Sequence, residues 1–475
     1  MSESEPWSFT IETEVTSAHY EELLNYTYQN YLQPQVEIFT NIKKSTEDGH
    51  PTLDFTFTNH EKKWNIDVKM KTGRPLLITM KPSDASVPQA ALERLKEDLI
   101  IVLQYFEENI RRSTLYFAWV QGREVVPEKS PLRRARIIER ILFGNILFLY
   151  VFLVAISIFL IFVIGIYATA VFIVASQLLT VIFSDRLVGT LSDWPVTADN
   201  PTVHILQYHL PAEERATFTQ KYTREQLLQM KKEIYDQTIA VNKPIECETA
   251  RDVMSKYGLA CSLDNMSTKT INVYELVQKT TCKFNLPQPK IALSNTMVPN
   301  AAATGPSPKH GLVLLTTGLL VQLEEDEIFT VLGHELSHLN ARDPFVLFGL
   351  VSGEYLFRIF ILWPYIQIFG LLYLIFILGL IYFFAKIFEA RADLDSAIRI
   401  GNPKILAGAL RQIGFRRLQF ERSTSARISD WITWDPHPPI YFRVERLEKL
   451  DQNIQIKHTF IQSAKDCIKG FFAAF

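Results

Sequence analysis

An α+β membrane protein, with two transmembrane helical hairpins, a mainly helical domain built around them and a soluble N-terminal α+β unit, is the fold class the sequence predicts. Three observations predict it. Ile141 to Ser184 is a run of 44 residues without a charge, where about 20 suffice to cross a hydrocarbon core. A second apolar region runs from Phe345 to Ala385. The first 130 residues alternate strand-like runs with helical patterns, whereas helical periodicity dominates later.

The N-terminal unit is read from the runs Trp7 to Val15, Val36 to Thr40, Leu53 to Thr58, Trp64 to Met70, Leu76 to Met80 and Tyr116 to Val120 as strands. Ala18 to Tyr31 and Val87 to Arg112 have helical spacing. This segment is mildly acidic, with 14 Lys+Arg against 20 Asp+Glu over residues 1–130, and is expected to regulate or dock partners. Its histidines, His19, His50 and His60, are scattered and read as surface or core residues. The N-terminus lacks an apolar h-region, so no cleaved secretory signal is expected.

The whole chain has 475 residues, 48% of them hydrophobic, and a net charge of −2. That balance excludes a disordered chain and argues against a nucleic-acid partner, which would require a basic surface. Cys247, Cys261, Cys282 and Cys467 never approach a CxxC spacing, so they are expected to be thiols in a reducing compartment rather than a disulfide framework.

The 44-residue run is long enough for two crossings, with a break near Gly165-Ile166-Tyr167. The second region also reads as a hairpin, turning at Trp363-Pro364-Tyr365 and carrying Glu354 and Arg358 four residues apart on one helical face. Lys and Arg accumulate on the cytoplasmic side of short loops. Arg133, Arg134, Arg136, Arg140 and Arg186 flank the first hairpin, and Arg342, Lys386 and Arg391 the second. Both hairpins are therefore expected to hang from one face, with the soluble segments cytoplasmic. The expected organisation is 1–130 as the soluble unit and 131–185 as the basic flank and first hairpin. Residues 186–344 and 387–475 form the two parts of the cytoplasmic domain, and 345–386 the second hairpin between them.

His334-Glu335-Leu336-Ser337-His338 is an HExxH motif in helical context. Acids from Glu324 to Glu327 suit a helix N-terminus, Ile328, Val331, Leu332, Leu336 and Leu339 form its apolar side, and Pro344 ends the run. His334 and His338 lie a turn apart on one face, where both imidazoles can reach one Zn²⁺. The continuation HxxGxxH is missing, because Ala341 and Pro344 occupy those positions, so the third ligand lies elsewhere.

Glu389, in Phe388-Glu389-Ala390-Arg391-Ala392-Asp393, is the best candidate. Two crossings use about 40 helical residues and 50 lie between His338 and Glu389, so an out-and-back excursion returns the chain to the metal. Asp393, one turn later, is placed to accept an Nδ1–H from a ligating histidine; a solvated charged face is the alternative for both acids. A three-ligand zinc keeps a position open to water, and Glu335 is placed to move protons as general base. The expected reaction is peptide-bond hydrolysis. His437 and Arg443, in His437-Pro438-Pro439-Ile440-Tyr441-Phe442-Arg443, are candidate oxyanion donors, with a structural turn and a structural ion pair as their alternatives.

Over residues 140 to 450 the sequence resembles the membrane metallopeptidases that include the HtpX heat-shock proteases and the CAAX prenyl endopeptidases. The marks are the paired spans, Pro299-Asn300-Ala301-Ala302-Ala303-Thr304-Gly305, Thr317-Gly318-Leu319-Leu320, HELSH, ExxxD and HPPxxxR. The resemblance implies a zincin-type (gluzincin) domain, a Zn²⁺ held by His334, His338 and Glu389, and Glu335 as base. It also implies that the Asn300 to Gly305 segment, with Asn300, Ala301 and Ala302, is an edge strand that pairs with extended polypeptide substrates. Two spans on each side of the zinc helix look more like HtpX, which implies cleavage of misfolded or exposed membrane-protein segments. A specific processing protease such as a prenyl endopeptidase, and an inert zincin-fold scaffold, are the competing readings. Ala302 departs from the family's PNAFATG, where a phenylalanine is usual.

Overall fold

The computed structural model describes residues 6–59, 63–84, 86–127, 146–190, 192–210, 218, 221–262, 265–450 and 456–475. The Arg133 to Arg140 cluster lies outside them. The chain divides into two compact units, Met1–Phe117 with Ile205–Lys269, and Ala118–His204 with Thr270–Phe475. This division falls at other positions than the expected bounds at 130 and 186. Residues 205–210 belong to the first unit: Ile205, Leu206, Tyr208 and Leu210 are buried, and such a run needs backbone partners. It finds them within the first unit, where Leu210 N–H donates to Ser113 C=O (3.1 Å) and His209 N–H to Asn265 C=O (2.7 Å).

The first unit holds a five-stranded antiparallel sheet in the order Trp7–Ile11, Leu76–Pro82, Asn65–Lys71, His50–Thr58, Phe39–Glu47. Alternation builds it: Ile66, Val68 and Met70 are buried while their neighbours Asp67, Lys69 and Lys71 are not. The helix Gln89–Arg111 lays Leu92, Leu95, Leu99 and Leu103 into the same core. The strand expected at Val36 to Thr40 instead runs from Phe39 to Glu47 and turns at Asp48-Gly49, both at positive φ (54° and 78°), the two-residue turn favoured between antiparallel strands.

Cys247 and Cys261 form a disulfide, which corrects the expectation of free thiols for this pair; Cys282 and Cys467 are free. The helix Cys247–Lys256 carries the chain away and the turn at Gly258 brings it back. The fourteen-residue separation therefore closes through tertiary structure rather than through a local motif.

In the second unit, helices Ile146–Ile164 and Ile166–Ile182 break at Gly165, where φ is 83°. Among the described residues, one helix, Asp343–Leu362, is by itself long and apolar enough to cross a membrane. The chain then turns at Trp363-Pro364 into a single helix, Trp363–Arg399. These two run antiparallel, since Tyr373 Oη donates to Glu354 Oε1 (3.0 Å) across the turn. Glu354 also takes Arg358 Nε at 2.7 Å, so this pair neutralises itself and binds the opposite limb. The hairpins meet where Ala170 packs with Tyr355 and Ile359 and Ser352 donates to Gln177 (2.8 Å).

A four-stranded sheet completes the unit, in the order Ala301–Thr304, Leu312–Thr316, Lys290–Ser294, Trp194–Val196. Ala301–Thr304 is its edge, paired antiparallel with Leu312–Thr316. Two cations counted above as flanking charge are not at the surface: Lys386 is buried and donates to the carbonyls of Thr433 and Asp435, and Arg391 is buried against Asp343.

Candidate active site

The helix Glu325–Ala341 starts at a capping box, Glu324 with Glu327, and stops at Arg342, which takes a left-handed conformation (φ 57°). Helix Trp363–Arg399 crosses it at close range because position 333 is glycine. A Cβ there would lie 2.6 Å from Ile400 and 2.7 Å from Ser396, closer than packing allows. This approach brings Glu389 and Asp393 to the histidines one residue and one turn further along.

His334 Nε2 lies 3.2 Å from Glu389 Oε2, His338 Nε2 lies 3.4 Å from Glu389 Oε1, and the two Nε2 atoms are 3.3 Å apart. Ligands at zinc's usual bond lengths occupy tetrahedron corners about 3.3 Å apart, so the three side chains fit a metal ion. Glu389 Oε2 is moreover buried without a hydrogen-bond donor, an expensive state for a carboxylate oxygen unless a cation satisfies it. Burial opposes charge on His334, yet Asp393 and Glu389 lift its imidazole to about 10. Burial likewise opposes ionisation of Glu389, but His437, His338 and His334 hold its carboxyl well below the usual range. The cluster is an anionic pocket that takes up positive charge.

Both imidazoles are oriented from behind. His334 Nδ1 is 2.9 Å from Asp393 Oδ1. His338 Nδ1 is 2.6 Å from Asp343 Oδ2, and Arg391 closes on both oxygens of Asp343 (2.9 and 2.7 Å). Asp343 and Arg391 were missed in the sequence. An Asp five residues after the second histidine, beside a proline read only as a helix stop, was the available signal.

Glu335 Oε2 accepts the Ala303 N–H at 2.9 Å, which ties the carboxylate to the edge strand. Burial raises its pKa while His334 and His338 oppose the rise. Ala301 and Ala302 lie on that strand; Asn300 precedes it, with its N–H and carbonyl both bonded to Thr316. His437 is half-exposed, 3.6 Å from Glu389, with Nδ1 3.1 Å from Asp435. For Arg443, read as an oxyanion donor or a structural ion pair, the contacts seen are those of an ion pair. Its buried fork closes on Asp393 at 2.8 and 2.6 Å, because a buried carboxylate needs a charged partner and Asp393 is 1% exposed.

Two histidines one turn apart with an intervening glutamate, converging on a glutamate from a second helix, define a metallopeptidase. Residues 267–451 match the sequence profile described as "Peptidase family M48". A "Protease HtpX homolog" of Thermodesulfovibrio yellowstonii is 30% identical over 237 residues, covering 42% of this chain and 80% of that protein. The "Protease HtpX homolog" of Thermococcus kodakarensis is 31% identical over 219 residues, covering 39% and 75%. The solved structure titled "Crystal Structure of S. mikatae Ste24p" aligns with a TM-score of 0.30 and 19% identity, covering 37% of this chain and 48% of that one, too low a similarity to establish a shared fold. The chain belongs to peptidase family M48 and is a metalloprotease of the HtpX type, acting on polypeptides.

Proposed function

We propose that the metal is zinc, one ion per chain, held by His334, His338 and Glu389, and that the chain cleaves misfolded or exposed segments of membrane proteins beside a bilayer that its four apolar helices cross. The observation that carries the reading is the convergence of three ligand side chains: the two histidine Nε2 atoms lie 3.3 Å apart and each faces one oxygen of Glu389, at 3.2 and 3.4 Å.

Zinc in that position would supply a Lewis acid for the scissile carbonyl and for water. Glu335 takes the proton of the attacking water and passes it to the leaving amine, with Ala303 N–H fixing the carboxylate for that transfer. Asp393 and Asp343 fix the two imidazoles through Nδ1, and Arg443 and Arg391 fix the two aspartates. His437, held by Asp435 at the open side, is the donor for the developing oxyanion. The Ala301–Thr304 edge pairs with an extended substrate through main-chain bonds, which makes recognition tolerant of sequence.

Four crossings are supported by the 19-residue and 17-residue helices separated at Gly165, by Asp343–Leu362 and by the charge-free stretch from Ile366 to Ala385. The basic flanks that remain once Lys386 and Arg391 are set aside, Arg133, Arg134, Arg136, Arg140, Arg186 and Arg342, support a cytoplasmic catalytic side. The Cys247–Cys261 bridge weighs the other way, since disulfides persist in oxidising compartments, and accessibility of Cys282 to an impermeant thiol reagent in intact cells decides the side.

The test of the metal assignment is elemental analysis of the purified chain with a proteolysis assay. One zinc per chain is expected, lost together with proteolysis in Glu389→Ala. A chain that cleaves fully without zinc defeats the reading.

A further inference from the structure

The helix Thr459–Ala473 has two faces. Cys467 and Phe471 turn inward, packing with Ala474 around Phe383, Phe384, Ile387 and Trp431, and Ser463, buried on the same side, accepts from Arg446 Nη2. On the opposite side Ile461, Ile468 and Phe472 are 52%, 47% and 70% exposed, and at about 100° per residue they share one narrow stripe. Lys465 and Lys469, both exposed, follow along one flank of it.

What the helix rests on identifies what covers it. Leu372, Phe376 and Leu380 are exposed along one face of Trp363–Arg399, and the same face continues through Phe383 and Ile387 beneath the Thr459–Ala473 helix. Its contacts move from Phe388, beside Phe460 (6.1 Å), to Phe383, beside Phe471 (6.2 Å). The Phe471 end therefore points toward the apolar limb, whose charge-free stretch ends at Ala385. An amphipathic helix at that level, with an apolar stripe and lysines beside it, has the chemistry of a bilayer interface.

We propose that the Thr459–Ala473 helix is an interfacial membrane anchor, with Ile461, Ile468 and Phe472 in the acyl boundary and Lys465 and Lys469 among headgroups. It holds the Glu389 end of the return helix at the bilayer surface. The proposal rests on the reading that the limb ending at Ala385 crosses a membrane.

The experiment uses the full chain, with Cys282→Ser, in vesicles of phosphatidylcholine and phosphatidylglycerol at 3:1. A small fluorophore is attached to Phe472→Cys, to Lys465→Cys or, as the control for the span, to Phe376→Cys. Quenching by spin-labelled lipid and by aqueous iodide is then measured. The expected result is lipid quenching of about two-fold or more at 472 and 376, with iodide reaching 465 but not 472. Adding Ile468→Glu should restore iodide quenching at 472. If 376 is quenched by lipid while 472 meets only iodide, the anchor is overturned and the spanning limb stands. If 472 is shielded from both quenchers, a protein surface covers it and the proposal fails. If neither 472 nor 376 meets lipid, the membrane reading itself falls, and the anchor with it.

Discussion

Asp343, the first residue of the apolar limb, lies 2.6 Å from Nδ1 of His338. The limb therefore enters the site directly: the residue that starts the outbound helix orients one histidine, while Arg391, on the helix that returns, holds that aspartate with two bonds. Replacing Asp343 by Asn keeps the shape but removes the charge, and zinc affinity is expected to fall ~10–100-fold, measured by competition with a chromogenic chelator. Asp343→Ala also leaves Arg391 buried without its partner and should cost ~3–5 kcal/mol of stability, seen as a lower melting temperature in detergent.

Arg443 grips Asp393, and the consequence separates an orienting role from an oxyanion role. Arg443→Lys breaks the fork, so zinc affinity should drop along with kcat/KM. An oxyanion donor would lower the rate and leave metal affinity unchanged. Metal titration of the variant beside its kinetics distinguishes the two.

Gly333 sets the distance between the two site helices. A methyl at this position meets Ile400 and Ser396, so Gly333→Ala is expected to cost ~1–3 kcal/mol. It should also lower proteolysis more than Gly349→Ala, whose added methyl meets nothing within 4 Å. Thermal unfolding and cleavage assays of both variants check this.

His209, in the first unit, is buried, and burial, with His19 and Arg74 adding to it, pushes its imidazole down to about 4. The unfolded chain holds a histidine of about 6.5, so between these values the unfolded state binds more protons than the folded one. Stability from neutral His209 is complete above about 6.5 and is lost as pH falls through about 4, roughly 3 kcal/mol at most. Amide protection over residues 205–210 should fall across that window in the wild type, and with a smaller slope in His209→Gln.

The site was largely legible because its chemistry follows helical spacing. His334 and His338 are i and i+4, Glu389 and Asp393 are i and i+4, and 50 intervening residues suit a hairpin that returns. The first-unit sheet was legible where alternation is strict, as at Ile66, Val68 and Met70. Contacts set by tertiary structure were not. The Cys247–Cys261 bridge, the partnership of Asp343 with Arg391 and the inclusion of residues 205–269 in the first unit all depend on how distant segments meet. For Arg443 both an oxyanion donor and a structural ion pair stayed open for the same reason, since its partner Asp393 is fifty residues away.

The most direct test is cleavage of an unfolded polypeptide by the detergent-purified chain, comparing wild type with Glu335→Gln and measuring bound zinc in each. Cleavage by the wild type alone, with one zinc retained in both, is the predicted result. Equal cleavage by Glu335→Gln with zinc retained would contradict the assignment of Glu335 as the proton carrier.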